Sequence, residues 1–258
     1  SKLFFQRRSA LPNSQIIPLF KQKDPIKKIQ AFCSQGRDMD PEDRVISWLL
    51  LLKVYSHQPD NWDLRAKKKD TYERFIASLQ LDDYETLTQE EVDEQFIPNY
   101  PGENVKNLIQ IHVDVNRFAN FFDFMPIDPD FANEENVLIK HTVHLRRIER
   151  ILFIFSSVNP TLSYVQGFHN LVAVIYIAFS RAMEHFGKDP LLMEAIAFFS
   201  FQNLMSSSNL QEIPPSAEDQ QLMNNHFILN GRLLTEVVPK VSSLFERSGI
   251  NSFHYLVK

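Results

Sequence analysis

The sequence predicts an all-α protein, and three observations carry that prediction. Apolar residues recur at spacings of three and four along most of the chain, and no segment alternates with the period of two that marks a half-buried strand. Glycine is scarce, at 6 of 258 residues, where about 7% is usual. The 22 phenylalanines supply bulk for helix crossings. No repeat of 20–50 residues is evident, so we expect one multi-helix domain rather than a solenoid.

The first segment, residues 1–39, is predicted to be an irregular arm. Pro12, Pro18 and Pro25 interrupt it, and its apolar clusters are short. A helical domain is then expected over residues 40–258. Its first helix begins strongly, because Asp40 can cap the helix and Pro41 suits the first helical position. That helix is predicted to run to about residue 56.

Further helices follow from the same periodicity. The strongest spans about residues 133–157, with Asn133 as its cap and a wide apolar stripe facing the core. The next begins near residue 162 and stays apolar on nearly every side to residue 179, which marks it as central. The remaining predicted helices cover residues 64–79, 88–96, 105–115, a Phe-rich segment ending at 205, 216–239, and two shorter stretches near the C-terminus.

Composition excludes several classes of function. The 27 basic and 32 acidic residues give a net charge of −5, which argues against a nucleic-acid partner. The single Cys33 allows no internal disulfide framework and favours a reducing, cytosolic compartment. The longest apolar run, residues 171–179, is too short for a membrane-spanning helix. The chain begins without Met or a signal peptide, from which we expect an excised fragment.

In each of two residue pairs, the spacing places both side chains on one face of a predicted helix. Arg44 lies four residues before Trp48, where its guanidinium can stack on the indole or meet a carboxylate, and we interpret this pair as structural. Asp114 lies one turn before Arg117. A carboxylate there can fix a guanidinium for contact with a phosphate, although a plain surface ion pair has the same spacing.

A third polar arrangement leads into the most apolar helix. Tyr164, Gln166 and Gly167 form a turn in which the amide can orient a water or satisfy a backbone group. Gly167 lets another backbone approach closely. Residues of these types also occur at helix starts for capping alone, so the turn by itself does not identify a function.

In this order and spacing, the three arrangements resemble the TBC domain of Rab GTPase-activating proteins. Arg44 and Trp48 match the family pattern Arg-x-x-x-Trp. Ile111, Asp114 and Arg117 match the pattern Ile-x-x-Asp-x-x-Arg, and Tyr164, Gln166 and Gly167 match the pattern Tyr-x-Gln-Gly. The intervening Arg150-Ile151-Leu152 and Asn159-Pro160 also look like the family. The resemblance covers residue 40 to the C-terminus.

The resemblance implies a helical domain that accelerates GTP hydrolysis on a Rab GTPase by inserting two side chains into its nucleotide site. Arg117 matches the arginine finger and Gln166 the glutamine finger. Asp114 would hold Arg117, while Tyr164 and Gly167 would shape the loop that carries Gln166. GTP and magnesium would come with the Rab partner, so no cofactor or metal of its own is expected.

The resemblance also implies a place in the cell. Rab regulation is a part of vesicle traffic, so we expect a cytoplasmic protein without a transmembrane segment. Peripheral recruitment to endomembranes would come through the partner or through missing regions of the parent protein.

The chain departs from the family pattern at several positions. After the arginine the family usually has Thr and, two residues later, Pro, whereas this chain has Phe118-Ala119-Asn120 after Arg117. Ser163 stands where the family has Gly, and Phe168-His169 replaces Met-Asn. The end of the chain resembles the start of a late family helix, so we expect the domain to be incomplete at its C-terminal end.

These departures keep alternatives open. The main one is a catalytically silent, TBC-like adaptor that binds a GTPase or another protein without stimulating hydrolysis. An unrelated helical interaction module ranks last, because three ordered motifs would have to arise by accident.

Other constellations favour structural explanations. His141 and His144 lie one turn apart, but no thiolate pair or third spaced ligand accompanies them, so a zinc site is not predicted. The basic run at residues 65–69 is expected to be a solvated helix face. No Gly-x-Ser-x-Gly turn or suitably placed cysteine supports nucleophilic catalysis.

Overall fold

The computed structural model describes residues 14–35, 39–55, 64–117, 121–127 and 131–207. All of these residues belong to one compact unit. They form helices, turns and loops, and no strand occurs among them, which confirms the predicted all-α class. The helices predicted over residues 216–239 and near the C-terminus lie outside the described residues.

Nine helices occur among the described residues. We label them α1 to α9: α1 (Pro25–Cys33), α2 (Pro41–Leu51), α3 (Leu64–Ser78), α4 (89–99, in which Val92–Phe96 is a π-helical turn), α5 (Val105–Val115), α6 (Val137–Lys140), α7 (Thr142–Val158), α8 (Phe168–Ser180) and α9 (Pro190–Ser207). Short 3₁₀ turns lie at Ile17–Lys21, Tyr84–Thr86, Phe122–Phe124 and Met183–Phe186.

Helix α7 is the centre of this unit. It packs against α3, α5, α6, α8 and α9 and against the turn Tyr84–Thr86. Its apolar residues from Ile151 to Phe155 are all at most 1% exposed. Aromatic rings fill the crossing of α7 with α8 and α9, where Phe155, Phe168 and Phe201 meet edge-to-face with centroids 4.7–6.1 Å apart.

The predicted start of α2 is confirmed. The side chain of Asp40 accepts a hydrogen bond from the backbone N–H of Glu42 at 2.9 Å, and Pro41 is the first helical residue. Helix α2 ends at Leu51, a few residues before the predicted end, because Lys53 adopts a left-handed backbone with φ of 57°.

The long helix predicted over residues 133–157 is divided. Its cap is Asn136 rather than Asn133, since the Asn136 side chain accepts from the N–H of Leu138 at 2.9 Å. His141 then separates α6 from α7, with a φ of −118°. Its ring Nδ1 lies 2.9 Å from the carbonyl of Pro126, so this histidine binds the preceding loop instead of extending one straight helix.

The apolar helix α8 begins at Phe168, about one and a half turns later than predicted. Two residues before it have positive φ, Ser163 at 49° and Gly167 at 107°. Helical backbone cannot pass through such residues, so residues 160–167 form a loop instead. This loop carries the predicted glutamine finger.

The segment before residue 40 contains more regular structure than its prolines predict. Helix α1 begins at Pro25 and packs against α2. Ile16 is fully buried. The arm therefore contributes to the core of the unit.

Candidate functional site

The two predicted finger residues lie in two different elements. Arg117 follows the end of α5, and its backbone N–H donates to the carbonyl of Asp114 at 3.2 Å in the turn that ends this helix. Gln166 lies in the loop before α8. Both side chains are exposed. They are therefore accessible to a partner.

A buried carboxylate joins the two segments. The hydroxyl of Tyr164 donates to Oδ2 of Asp114 at 2.9 Å, across 50 positions of sequence. Asp114 is only 3% exposed. Its carboxylate thus faces the loop of Gln166, and among the described residues it forms no ion pair with Arg117. The contact expected from the sequence, between the Asp114 carboxylate and the Arg117 guanidinium, is therefore not formed, and the two residues meet through their backbones.

A histidine completes this junction. The Nδ1 atom of His169 lies 2.9 Å from the hydroxyl of Tyr164 and 3.9 Å from Oδ2 of Asp114. The N–H of Gly167 donates to the same nitrogen at 3.3 Å. His169 was recognised in the sequence only as a departure from the family pattern. In the structure it bridges the loop and the first turn of α8.

The electrostatics of the junction keep the phenol neutral. Burial and the hydrogen bond to Asp114 raise the pKa of Tyr164 far above its ordinary value of 10. Burial lowers the pKa of His169 from its ordinary value of 6.5, and the nearby Asp114 carboxylate opposes that shift. At neutral pH the junction therefore holds a protonated phenol and an uncharged imidazole beside Asp114.

The backbone of the loop depends on two special positions. Gly167 has a φ of 107° and is the N-cap of α8, a conformation that other residues rarely adopt. Ser163, at a φ of 49°, stands where the family has glycine. The Ser163 hydroxyl donates to Oδ1 of Asn107 on α5 at 3.3 Å, a contact that a glycine would lack. This bond ties the loop to α5 a second time.

A buried polar network fixes the other side of α5. Glu149 of α7 accepts from Arg146 and, at 2.7 Å, from the hydroxyl of Tyr84. The Nδ1 atom of His112 lies 3.0 Å from the second oxygen of Glu149. The side-chain amide of Asn116 approaches the other nitrogen of His112 at 3.1 Å. The network therefore reaches the residue just before Arg117.

This network is not among the predictions from the sequence. Its sequence signal is the presence of Arg146 and Glu149 on α7 among residues of the apolar stripe, where each is at most 1% exposed. Burial would raise the pKa of Glu149, but Arg146 and His112 outweigh it and lower the pKa below its ordinary value. The carboxylate stays charged.

The remaining predicted residues lie elsewhere. Arg44 and Trp48 are half-buried on α2, a different helix from either finger, and Arg44 Nη2 approaches the carbonyl of Met39 at 3.5 Å. In the basic run, Arg65 donates to the carbonyl of His185 at 3.2 Å and Lys69 pairs with an aspartate of another segment. Part of that run therefore packs onto the unit.

His141 and His144 do not converge on a common site. His141 contacts Pro126 as described above, and Nδ1 of His144 lies 2.8 Å from the hydroxyl of Tyr176. Within the described residues, no group of three or more His, Cys, Asp or Glu side chains could hold a metal ion. Nor does that part of the chain contain a helix long and apolar enough to cross a membrane. Phe118, Ala119 and Asn120, which depart from the family pattern, lie outside the described residues.

Comparison with known proteins identifies the family. The Rab-GTPase-TBC domain profile matches residues 41–258, and the chain belongs to this family of Rab GTPase-activating proteins. TBC1 domain family member 13 from Mus musculus is 38% identical over 79 residues, which is 30% of this chain and 19% of that protein. The same values hold for TBC1 domain family member 13 from Homo sapiens. The match thus spans about a fifth of these curated relatives. No solved structure matches significantly.

Proposed function

We propose that this chain accelerates GTP hydrolysis on a bound Rab GTPase by supplying Arg117 and Gln166 in trans. The observation that carries the proposal is the hydrogen bond from Tyr164 to Asp114. It connects the helix that precedes Arg117 with the loop that holds Gln166. One junction thereby fixes the two backbone segments that carry these exposed polar side chains.

In this proposal Arg117 stabilises the transition state. Its guanidinium would contact the phosphate oxygens, where negative charge develops during phosphoryl transfer, and its donor fork matches their geometry. Arginine fingers contribute about 10³–10⁵ in rate. The hydrogen bond at Asp114 supports this role, because a fixed backbone before the finger lowers the conformational entropy that is lost when the finger enters the nucleotide site.

Gln166 would orient the attacking water from the side of the activator. A neutral amide offers both a donor and an acceptor, so it can bind a water without taking its proton. GTP and magnesium would be brought by the Rab partner. The chain would act on Rab proteins in the cytoplasm, at endomembranes to which the partner or other regions recruit it, and would thereby regulate vesicle traffic.

The first test is single-turnover GTP hydrolysis by a panel of purified Rab proteins. The wild-type chain should stimulate at least one Rab, and Arg117→Ala should remove the stimulation while leaving most of the Rab affinity. Arg74→Ala is the matched control, since Arg74 is an exposed arginine on α3. A Rab that binds without stimulation would instead support the adaptor alternative.

The second test concerns the glutamine. Gln166→Ala should slow stimulated hydrolysis, whereas Gln95→Ala, at an exposed position of α4, should not. The wild-type chain should also stimulate a Rab variant that lacks its own water-positioning glutamine. Loss of all stimulation with that Rab variant would contradict a glutamine supplied by the activator.

A further inference from the structure

The outer face of α5 exposes two large apolar side chains. Ile109 is 44% exposed and Val113 is 36% exposed. They are four residues apart and therefore share one side of the helix, and Arg117 follows Val113 by four more residues, in the turn after the end of α5. The opposite side of α5 is buried against the unit. We call Ile109 and Val113 the α5 stripe.

The stripe lies within the reach of any partner that contacts Arg117. At a rise of about 1.5 Å per residue, Val113 is about 6 Å and Ile109 about 12 Å from Arg117 along the helix axis. A specific protein interface buries about 800 Å² on each partner, which corresponds to a patch of about 16 Å radius. A patch centred on Arg117 therefore covers both residues.

We propose that the α5 stripe docks the apolar surface of a Rab GTPase next to its nucleotide pocket. This inference rests on the proposed function, because the position of Arg117 at the phosphates determines which partner surface meets α5. The two apolar side chains form a dry contact, and the neighbouring exposed residues Lys106 and Gln110 form its polar rim.

The stripe and the finger have different kinetic roles. Val113 lies about one turn from the finger and Ile109 about two turns, and neither carries a group that responds to charge on the phosphates. They stabilise the bound ground state and the transition state equally, so they set the affinity for the Rab and not the rate of the chemical step. Changes in the stripe should therefore alter KM for the Rab and leave kcat unchanged.

The test compares two valines of similar exposure. Val113→Glu should raise KM for the responding Rab by roughly tenfold or more, with kcat within about twofold of wild type. Val113→Ile keeps the apolar contact and should retain the wild-type KM. Val137→Glu is the control, because Val137 is 43% exposed on α6. Equal effects of the two glutamate substitutions, or no effect of Val113→Glu, would overturn the proposal.

A binding measurement separates this inference from the proposed function. Each Rab is loaded with a non-hydrolysable GTP analogue, and its Kd for the full chain is measured without any need for catalysis. Weaker binding by Val113→Glu, with no stimulation by the wild-type chain, would keep the docking surface and reject the finger mechanism. If no Rab of the panel binds the wild-type chain, both are rejected.

Discussion

The hydroxyl of Tyr164 joins the two halves of the candidate site at a buried carboxylate. Tyr164 contacts Asp114 of α5 and His169 of α8, each at 2.9 Å. The raised pKa of this phenol means that it remains a donor throughout the physiological range. Asp114 is buried, so its carboxylate depends on that donor for compensation of its lost hydration.

Removal of this hydroxyl should therefore weaken both the fold and the site. We expect Tyr164→Phe to lower the free energy of unfolding by about 1.5–3 kcal/mol, the range for hydrogen bonds to charged groups. Tyr100→Phe is the control, because Tyr100 donates at 2.8 Å to a neutral carbonyl, that of Leu79. Urea unfolding of both variants measures the difference. A larger loss for Tyr100→Phe would show that Asp114 does not need this donor.

His169 should make the stability of the unit depend on pH. Burial lowers the pKa of His169 in the folded chain, and the nearby Asp114 partly opposes this shift. In the unfolded chain the same imidazole has its ordinary pKa of 6.5. Between these two values the unfolded state binds more protons, so the free energy of unfolding falls as the pH decreases below about 6.5. The contribution of His169 is fully present above that pH.

The matched variant for this prediction is His169→Asn, which places the family's usual residue there. Urea unfolding of both chains at pH 7.5 and pH 5.5 isolates the titration of His169 from that of the other histidines. The wild-type chain should lose more stability than the variant on acidification. Parallel losses would mean that His169 titrates alike in both states.

The sequence identified most of the site residues but not their contacts. Arg117 and Gln166 were found through motif spacing, and both prove to be exposed. The spacing of Asp114 and Arg117 suggested a pair, because residues one turn apart are neighbours on a helix. The actual partner of Asp114, Tyr164, is distant in sequence. Periodicity shows which face a residue occupies but not which other helix meets it.

At the scale of elements, α7 is a core helix that also carries buried charges. Arg150 forms a two-bonded pair with Glu194 of α9, with both N···O distances at 2.7 Å. The hydroxyl of Tyr72 on α3 donates to the same carboxylate at 2.8 Å. Glu194 is fully buried. This carboxylate thus connects three helices through charged hydrogen bonds.

Neutralisation of that carboxylate should be costly. Glu194→Gln preserves the shape of the side chain but leaves the buried guanidinium of Arg150 without its main counter-charge. We expect the free energy of unfolding to fall by about 3–5 kcal/mol, as when one partner of a buried ion pair is removed. Glu184→Gln is the control, because Glu184 pairs with Lys188 at the surface, where both side chains are more than two-thirds exposed.

Chemical denaturation followed by circular dichroism measures the effect of each substitution. Glu184→Gln should change stability little, since exposed ion pairs contribute little. A small loss for Glu194→Gln as well would indicate that Glu85, whose Oε2 lies 3.0 Å from Nη2 of Arg150, is a sufficient counter-charge.

The sequence predicted helices better than their interruptions. The start of α2 at Asp40 and Pro41 was correct because a cap and a proline act locally. The break at His141 was missed, since its cause is a contact with Pro126, in a loop that no periodic pattern describes. The late start of α8 follows from the positive φ of Ser163. Serine rarely adopts a left-handed backbone, so the residue type did not predict this conformation.

At the scale of the whole molecule, the arm and the helical domain are physically connected. Asp43 of α2 is 2% exposed, and its two oxygens accept hydrogen bonds at 2.7 Å from the hydroxyl of Ser14 and the N–H of Gln15. Ile16, the next residue, is fully buried. The arm thus supplies both the donors for a buried carboxylate and an apolar anchor, although its prolines predicted an irregular structure.

A chain that begins at Met39 should therefore be less stable than the full chain. It loses two hydrogen bonds to the carboxylate of Asp43 and the burial of Ile16, so we expect the free energy of unfolding to fall by roughly 3 kcal/mol or more. Asp43→Asn in both chains forms a double-mutant cycle: the substitution should destabilise the full chain and have a much smaller effect in the short one, where the donors are already absent. Equal effects of Asp43→Asn in the two chains, measured by urea unfolding, would show that the arm does not act through this carboxylate.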